Sequence, residues 1–267
     1  MDYCLFKIFY ESFLKTDFPS AGFERGTVKY FLPERDIMDV EEFAKSLGAD
    51  VFGVADLELL RDYPVYPENL LDRFTRGIVI GVRLSDAVFD GLPETRPLYA
   101  KQYQVANDML DRMAFEIARR IEKMGYNAIP IPASKTLKDL HWGSFISHKA
   151  IARAAGVGWI GKNLLLITEE FGPRIRMATI LTNIPLDPGQ PIKRRCSKCR
   201  ECIESCIVNA LREVDFEGYP KREDALDVDR CAEKLKEYAS DPDIGFMVCG
   251  ICVKICPWGR TKSYMND

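Results

Sequence analysis

Apolar and polar positions fall into blocks along the first 187 residues, and the period changes from block to block. "DVEEFAKSLG", residues 39–48, predicts a helix: Asp39 is placed as an N-cap, Glu42 follows three residues on, and Gly48 ends it. "ADVFGVADL" predicts a strand. "GIVIGVRL", 77–84, is β-branched and almost wholly apolar, the pattern of a buried strand. A long helix is expected from about Tyr99 to Met124, closed by Gly125, with Val105, Met109, Met113, Ile117 and Ile121 as its apolar stripe. "NAIPIPAS" reads as extended, because its prolines oppose helix. In "SHKAIARAAG", Ser147 caps a short helix ending near Gly156. "NLLLIT" and "RMATILTNIPL" are strand candidates separated by the turn "EEFGPRI". This alternation predicts an α/β or α+β sandwich.

The pattern stops at "DPGQP", 187–191, a predicted linker. Beyond it Cys, Lys, Arg and Glu dominate, so two domains are expected, 1–187 and 188–267. The bulk numbers change this picture little. With 47% hydrophobic and 29% charged residues and a net charge of −3, the chain reads as globular, and bulk charge does not suggest a nucleic-acid binder. "MDYCLFKIFYESFLKTDF" carries charges through its apolar runs and lacks a cleavage signal, and no long uncharged apolar stretch occurs. The expected compartment is the cytoplasm, with no membrane association.

There are nine cysteines, and eight of them lie between Cys196 and Cys256. In a reducing compartment such crowding points to metal ligands, not disulfides. Cys4 stands apart and reads as an idle thiol. "CSKCRECIESC" has the Cys-x2-Cys-x2-Cys-x3-Cys spacing of a bacterial [4Fe–4S] ferredoxin, whose fourth cysteine serves the neighbouring cube. "CGICVKICPWG" repeats the pattern but has Phe246 where its first cysteine should stand. Cys231 can supply the missing thiolate from "DVDRCAEKL". One cluster then takes Cys196, Cys199, Cys202 and Cys256; the other takes Cys206, Cys231, Cys249 and Cys252. Two Cys4 zinc sites are the alternative, although zinc modules favour separate CxxC pairs. Lys193, Arg194, Arg195, Lys198 and Arg200 flank the first motif. They either offset cluster charge or steer an acidic donor, or they form a solvated surface.

"AAGVGWIGKNLLLITEEFGPRIRMATILTNIPL", "CSKCRECIESC", "DVDRC" and "CGICVKICPW" occur in this order in epoxyqueuosine reductases, which this sequence resembles from Ser147 to Trp258. The two-cluster module is more distantly similar to that of reductive dehalogenases. The resemblance implies a nitroreductase-like catalytic domain followed by a ferredoxin-like module with two [4Fe–4S] clusters. It further implies a cobalamin held base-off between them, whose cobalt the clusters reduce, with ferredoxin or flavodoxin as the low-potential donor and tRNA as the family's partner. A gapless count puts Trp142 where the family has its acidic Asp, so the neighbouring His141 becomes the candidate proton donor. Ser147, His148, Gly158, Trp159, Lys162 and Asn163 are the candidate cofactor-binding residues; the loop "GVGWIGKN" alternatively just packs on the cluster module. Arg174 and Arg176 are either anion contacts or surface residues. The chain ends eleven residues after Cys256, which suggests a short relative with a different substrate or partner. The expected function is an iron–sulfur oxidoreductase. The alternatives are a non-catalytic electron-transfer or corrinoid-reactivating protein, or a reductase that uses FMN.

Overall fold

The computed structural model describes residues 39–259, all within one compact unit. Cys4 and the stretch tested for a secretion signal lie outside the described residues. Four strands form one sheet: β1 (Val51–Asp56), β2 (Arg76–Arg83), β3 (Ala128–Ile131) and β6 (Ile175–Thr182), in the order β1-β2-β6-β3. Every pair is antiparallel, so α+β describes the architecture. The apolar run of "GIVIGVRL" is explained by its place. β2 lies between two partners, and both faces of the sheet are covered.

Alternate residues of β2 and β6 point to opposite layers, as the pleat requires. Ile78, Ile80, Val82, Ala178 and Ile180 join one core with α1 (Asp39–Ser46) and α3 (Arg96–Lys123). Val79, Met177 and Leu181 join the other with α4 (His148–Ala154) and the 3-10 turn Leu57–Leu60. β3 lies at the sheet edge, where Pro130 costs no ladder bond a central strand would need. The other edge, β1, is met by the linker: the Gly189 amide donates to the Val54 carbonyl at 2.8 Å. "NLLLIT" contributes only β5 (Leu166–Ile167), which pairs with β4 (Trp159–Ile160) as a separate ribbon.

The stripe expected on the long helix is displaced. Val105 and Met109 are 44% and 43% exposed, while Ala106, Leu110, Met113, Ala114, Ile117 and Ile121 are buried. Strict spacing of four advances about 40° per step around a helix with 3.6 residues per turn. A stripe drawn that way leaves the core face within three steps.

The cysteine-rich part contains α5 (Glu201–Glu204), α6 (Arg222–Ala225), α7 (Val228–Ser240) and α8 (Ile251–Lys254), with α2 (Asp86–Asp90) packed beside it. Val248 and Val253 belong to the same core as Phe89 and Tyr99. Fully buried Arg174 donates to the Trp258 and Lys254 carbonyls at 2.9 and 3.2 Å, and also pairs with Asp86. Lys254 Nζ reaches the Leu92 carbonyl at 2.6 Å, and Arg96 reaches that of Cys249 at 3.2 Å. Gly172, at φ +55°, lies where any Cβ would come within 1.9 Å of the Trp258 carbonyl oxygen. Among the described residues no helix is long and apolar enough to cross a membrane.

The displaced stripe is testable by paired substitutions. Leu110→Ala should cost about 3 kcal/mol of unfolding free energy and Met109→Ala less than about 0.5 kcal/mol, measured by denaturant titration. Equal costs would contradict the burial of the Leu110 face.

Candidate functional site

The eight cysteines gather into two groups of four. Cys196, Cys199, Cys202 and Cys256 line a small cavity together with Lys162, Asn163 and Trp258. Cys206, Cys231, Cys249 and Cys252 line one end of a far larger cavity of about 1130 Å³. Cys231 arrives from α7, capped by the Asp227 carboxylate on the Arg230 amide, and Cys252 from α8, entered through Gly250 at φ +83°. Burial raises the Cys202 thiol to about 12, with Cys196, Cys256 and Cys199 adding repulsion. Burial also pushes Cys252 up, with Cys249, Cys202, Cys231 and Cys206 as further causes. Thiols so placed ionise only against a strong cationic charge, which a metal centre supplies. Among the described residues, no cluster of three or more His, Cys, Asp or Glu is shaped to hold a lone metal ion. The Ala210 amide donates to Cys206 Sγ at 3.3 Å, the type of bond that tunes a cluster's potential.

The larger cavity lies between layers. One wall comes from the region of Tyr63 and Pro64, from Ala133 and from α4 and β6; the other comes from residues 206–211 and from α6, α7 and α8. His148 lines it, but both ring nitrogens are committed. Nε2 donates to the Pro132 carbonyl at 2.9 Å, so Nδ1 accepts from the Thr179 hydroxyl at 2.8 Å. Burial lowers its pKa to about 4, with Arg176 and Lys149 acting the same way. It is a neutral wall residue with no nitrogen left for a metal. Ser147 also lines the cavity. It caps α4 on the Ala150 amide and bonds the Tyr219 hydroxyl at 3.1 Å. Asn163 lines both cavities: its Nδ2 donates to the Cys252 carbonyl at 3.2 Å and its Oδ1 accepts from the Leu165 amide.

Three other expected cofactor contacts turn away from the large cavity. Gly158 is required by backbone proximity, since a Cβ would lie 2.2 Å from the Ile167 carbonyl oxygen. Trp159 is 1% exposed and packs edge-on against Trp258 at 4.7 Å. Lys162 is held by Glu213 at 3.3 Å beside the first group of cysteines. The loop reading that places it against the cluster module describes these three. Arg174 is a buried clamp, so its placement on the surface is corrected. Arg176 lines the cavity, sharing the pleat face of Ala178 and Ile180 and held against Asn107 and Tyr103 of α3.

His141 stands at the mouth. Its Nε2 is 2.8 Å from Asp229 Oδ1, and the Trp142 indole donates to the same oxygen at 3.2 Å. The His141 bond holds the Asp229 carboxyl below the usual carboxylate range, with Trp142 contributing. Arg222 pins the loop by donating to the His141 and Trp142 carbonyls at 3.1 and 3.2 Å. Asp229 gave no signal in the sequence beyond its neighbour Cys231. The basic run is largely neutralised: Arg194 pairs with Asp215, Arg195 with Glu169, and Arg200 with Glu204 and Glu213.

Residues 195–259 match the family model described as a 4Fe-4S double cluster binding domain. An epoxyqueuosine reductase of Gloeobacter violaceus is 31% identical over 193 residues, covering 68% of this chain and 58% of that protein. One from Vibrio cholerae is 27% identical, covering 83% and 66%. The resemblance is to the epoxyqueuosine reductases. The tetrachloroethene reductive dehalogenase of Dehalobacter restrictus is 28% identical, covering 86% of this chain and 40% of its own. Among solved structures, a catabolic reductive dehalogenase superposes with a TM-score of 0.68 at 22% identity, covering 88% of this chain and 33% of that one. An epoxyqueuosine reductase solved with a modified tRNA stem loop superposes with 0.58 at 21% identity, covering 83% and 64%. Several epoxyqueuosine reductases, that of Bacillus anthracis among them, are matched over only about a third of their length (32% in that case).

The His148 wall carries a pH signature. Its folded pKa lies below the ordinary histidine value, so between about pH 6.5 and 4 the unfolded chain binds a proton that the folded one refuses. Stability should therefore fall as pH drops through that window, by up to roughly 3 kcal/mol from this group. The difference between wild type and His148→Asn in denaturant titrations at pH 7, 5.5 and 4.5 isolates it; a pH-independent difference would contradict the neutral assignment.

Proposed function

We propose that this chain is an iron–sulfur reductase that passes electrons through two [4Fe–4S] clusters to a corrinoid in the large cavity. The carrying observation is that Cys206, Cys231, Cys249 and Cys252 open directly into the cavity whose opposite wall is the α+β layer. Its volume of about 1130 Å³ exceeds the roughly 300–1,000 Å³ of ordinary small-ligand pockets, which fits a macrocycle. A bound cobalamin would supply reducing chemistry at its metal. The catalytic domain, 1–187, is then nitroreductase-like, and 188–267 is the ferredoxin-like electron module.

The chain's own residues divide the work. Cys196, Cys199, Cys202 and Cys256 hold the cluster remote from the cavity, where a ferredoxin or flavodoxin would deliver electrons. The second group of four holds the cluster at the cavity wall. Asn163 ties the loop between the two cavities to the Cys252 backbone. His148, Ser147 and Tyr219 form a closed, neutral hydrogen-bonded wall. His141 is the candidate proton donor at the mouth, oriented by Asp229. A reducing cytoplasm suits the free thiols. The tRNA-bound relative favours a second reading, reduction of a modified nucleoside, in which the His141–Asp229 pair replaces the missing family carboxylate.

Anaerobically reconstituted protein should contain about eight iron and eight sulfide per chain. Cobalamin added to it should give a base-off visible spectrum, and a low-potential donor should then reduce the cobalt. Cys231→Ala should lose about half the iron while retaining the other cluster's EPR signal. Stoichiometric zinc, or intact clusters with no change in the cobalamin spectrum, would overturn the proposal.

A further inference from the structure

We propose that Lys149 and Arg176 form an oxyanion-binding subsite in the cavity wall, taking a carboxylate or phosphate group of the ligand. The proposal rests on the reading above only in treating the cavity as a ligand site. Both side chains line it, one from the first turn of α4 and one from β6. Lys149 Nζ donates to a single partner, the Leu164 carbonyl, at 2.7 Å. Arg176 donates from Nε to Asn107 Oδ1 at 3.0 Å and from an amino group to the Ala133 carbonyl at 3.1 Å, and stacks 4.0 Å from the Tyr103 ring. All of these acceptors are neutral. Neither cation forms an ion pair among the described residues.

Arg222 adds positive charge beside the pair, and the four thiols of the second group lie along the same cavity. Burial lowers the affinity of Lys149 for its proton, and Arg176 and Arg222 act the same way, with Tyr63 and Tyr103 opposing them. The carboxylates on the same cavity are Asp62 and Glu223, both exposed, and Glu223 is bonded to Arg222. His148, directly beside the two cations, is held neutral by burial. Two half-buried cations that face one cavity and form no ion pair among the described residues favour an arriving oxyanion. An arginine and a lysine together suit it, one as a directional fork and one as a point charge. The Tyr219 and Tyr63 rings, edge-on at 5.3 Å, supply apolar surface close by.

The same chemistry has two sources, an acidic substrate or the phosphate in the nucleotide tail of a corrinoid. The test uses the anaerobic full chain loaded with clusters. Calorimetry compares benzoate with uncharged benzamide, and cobalamin with cobinamide, which lacks the tail phosphate. The expected result is that wild type prefers the anionic member of at least one pair by about tenfold or more, and that Lys149→Gln and Arg176→Met abolish that preference while sparing the neutral member. Loss confined to benzoate assigns the subsite to substrate, and loss confined to cobalamin assigns it to the tail. A wild type that distinguishes neither pair overturns the proposal without need of a variant. Variants that keep the preference, or lose both members of a pair equally, also overturn it. Benzoate selectivity without any cobalamin binding would uphold the subsite and sink the corrinoid reading.

Discussion

The anchoring of the cysteine-rich segment to the α+β layers governs the rest of the structure. That segment's helices are mostly single turns: α5, α6 and α8 have four residues each. Helices so short cannot pay the cost of nucleation on their own. Their carbonyls are instead taken by cations rooted in the first 187 residues. Arg174 holds those of Trp258 and Lys254, and Arg96 holds that of Cys249. A guanidinium suits this task because its donors are fixed in a plane and its charge never leaves. Removing one would strand buried carbonyls and break several contacts together.

From this anchoring the site geometry follows. Cys249 and Cys256 border the anchored carbonyls, so each group of four thiols includes one member adjacent to a clamp. Asn163 adds a third tie at Cys252. The two groups are thereby indexed against the same sheet that supplies the cavity's opposite wall. An electron path ending at a cavity needs such indexing, because transfer depends on a fixed separation and a shared, water-poor environment. A flexible linker between two independent domains would not provide it. The predicted linker is itself docked, through Gly189 on β1.

Much of this was legible in the sequence where spacing carries the information. The cysteine motifs and strands β2 and β6 depend on local period, and the structure places them as that period implies. The stripe on α3 holds at Met113, Ile117 and Ile121 and fails at Val105 and Met109, because a spacing of four approximates 3.6 for only a few steps and Leu110 takes the core position. Gly158 and Trp159 looked like ligand contacts because a glycine beside a tryptophan suits a pocket as well as it suits close packing. Only the 2.2 Å approach of the Ile167 carbonyl to the place of a Gly158 Cβ decides between them. Asp229 and Lys149 were beyond reach of the sequence for another reason, and Arg176, a candidate anion contact, could not be told there from a surface residue. Their roles come from partners 15 to 88 residues away, or from the lack of a counter-ion, and neither leaves a local pattern.

The two histidines show how placement divides one chemistry into two. His148 begins a helix and turns its ring under the sheet, where Pro132 and Thr179 fix one tautomer and burial forbids the charged form. A group that cannot gain a proton near neutral pH cannot donate one twice. His141, seven residues earlier on a loop pinned by Arg222, faces solvent and bonds the Asp229 carboxylate. The cavity therefore has a polar, solvent-facing rim and a neutral, buried histidine wall, with the second group of thiols across the cavity from that wall.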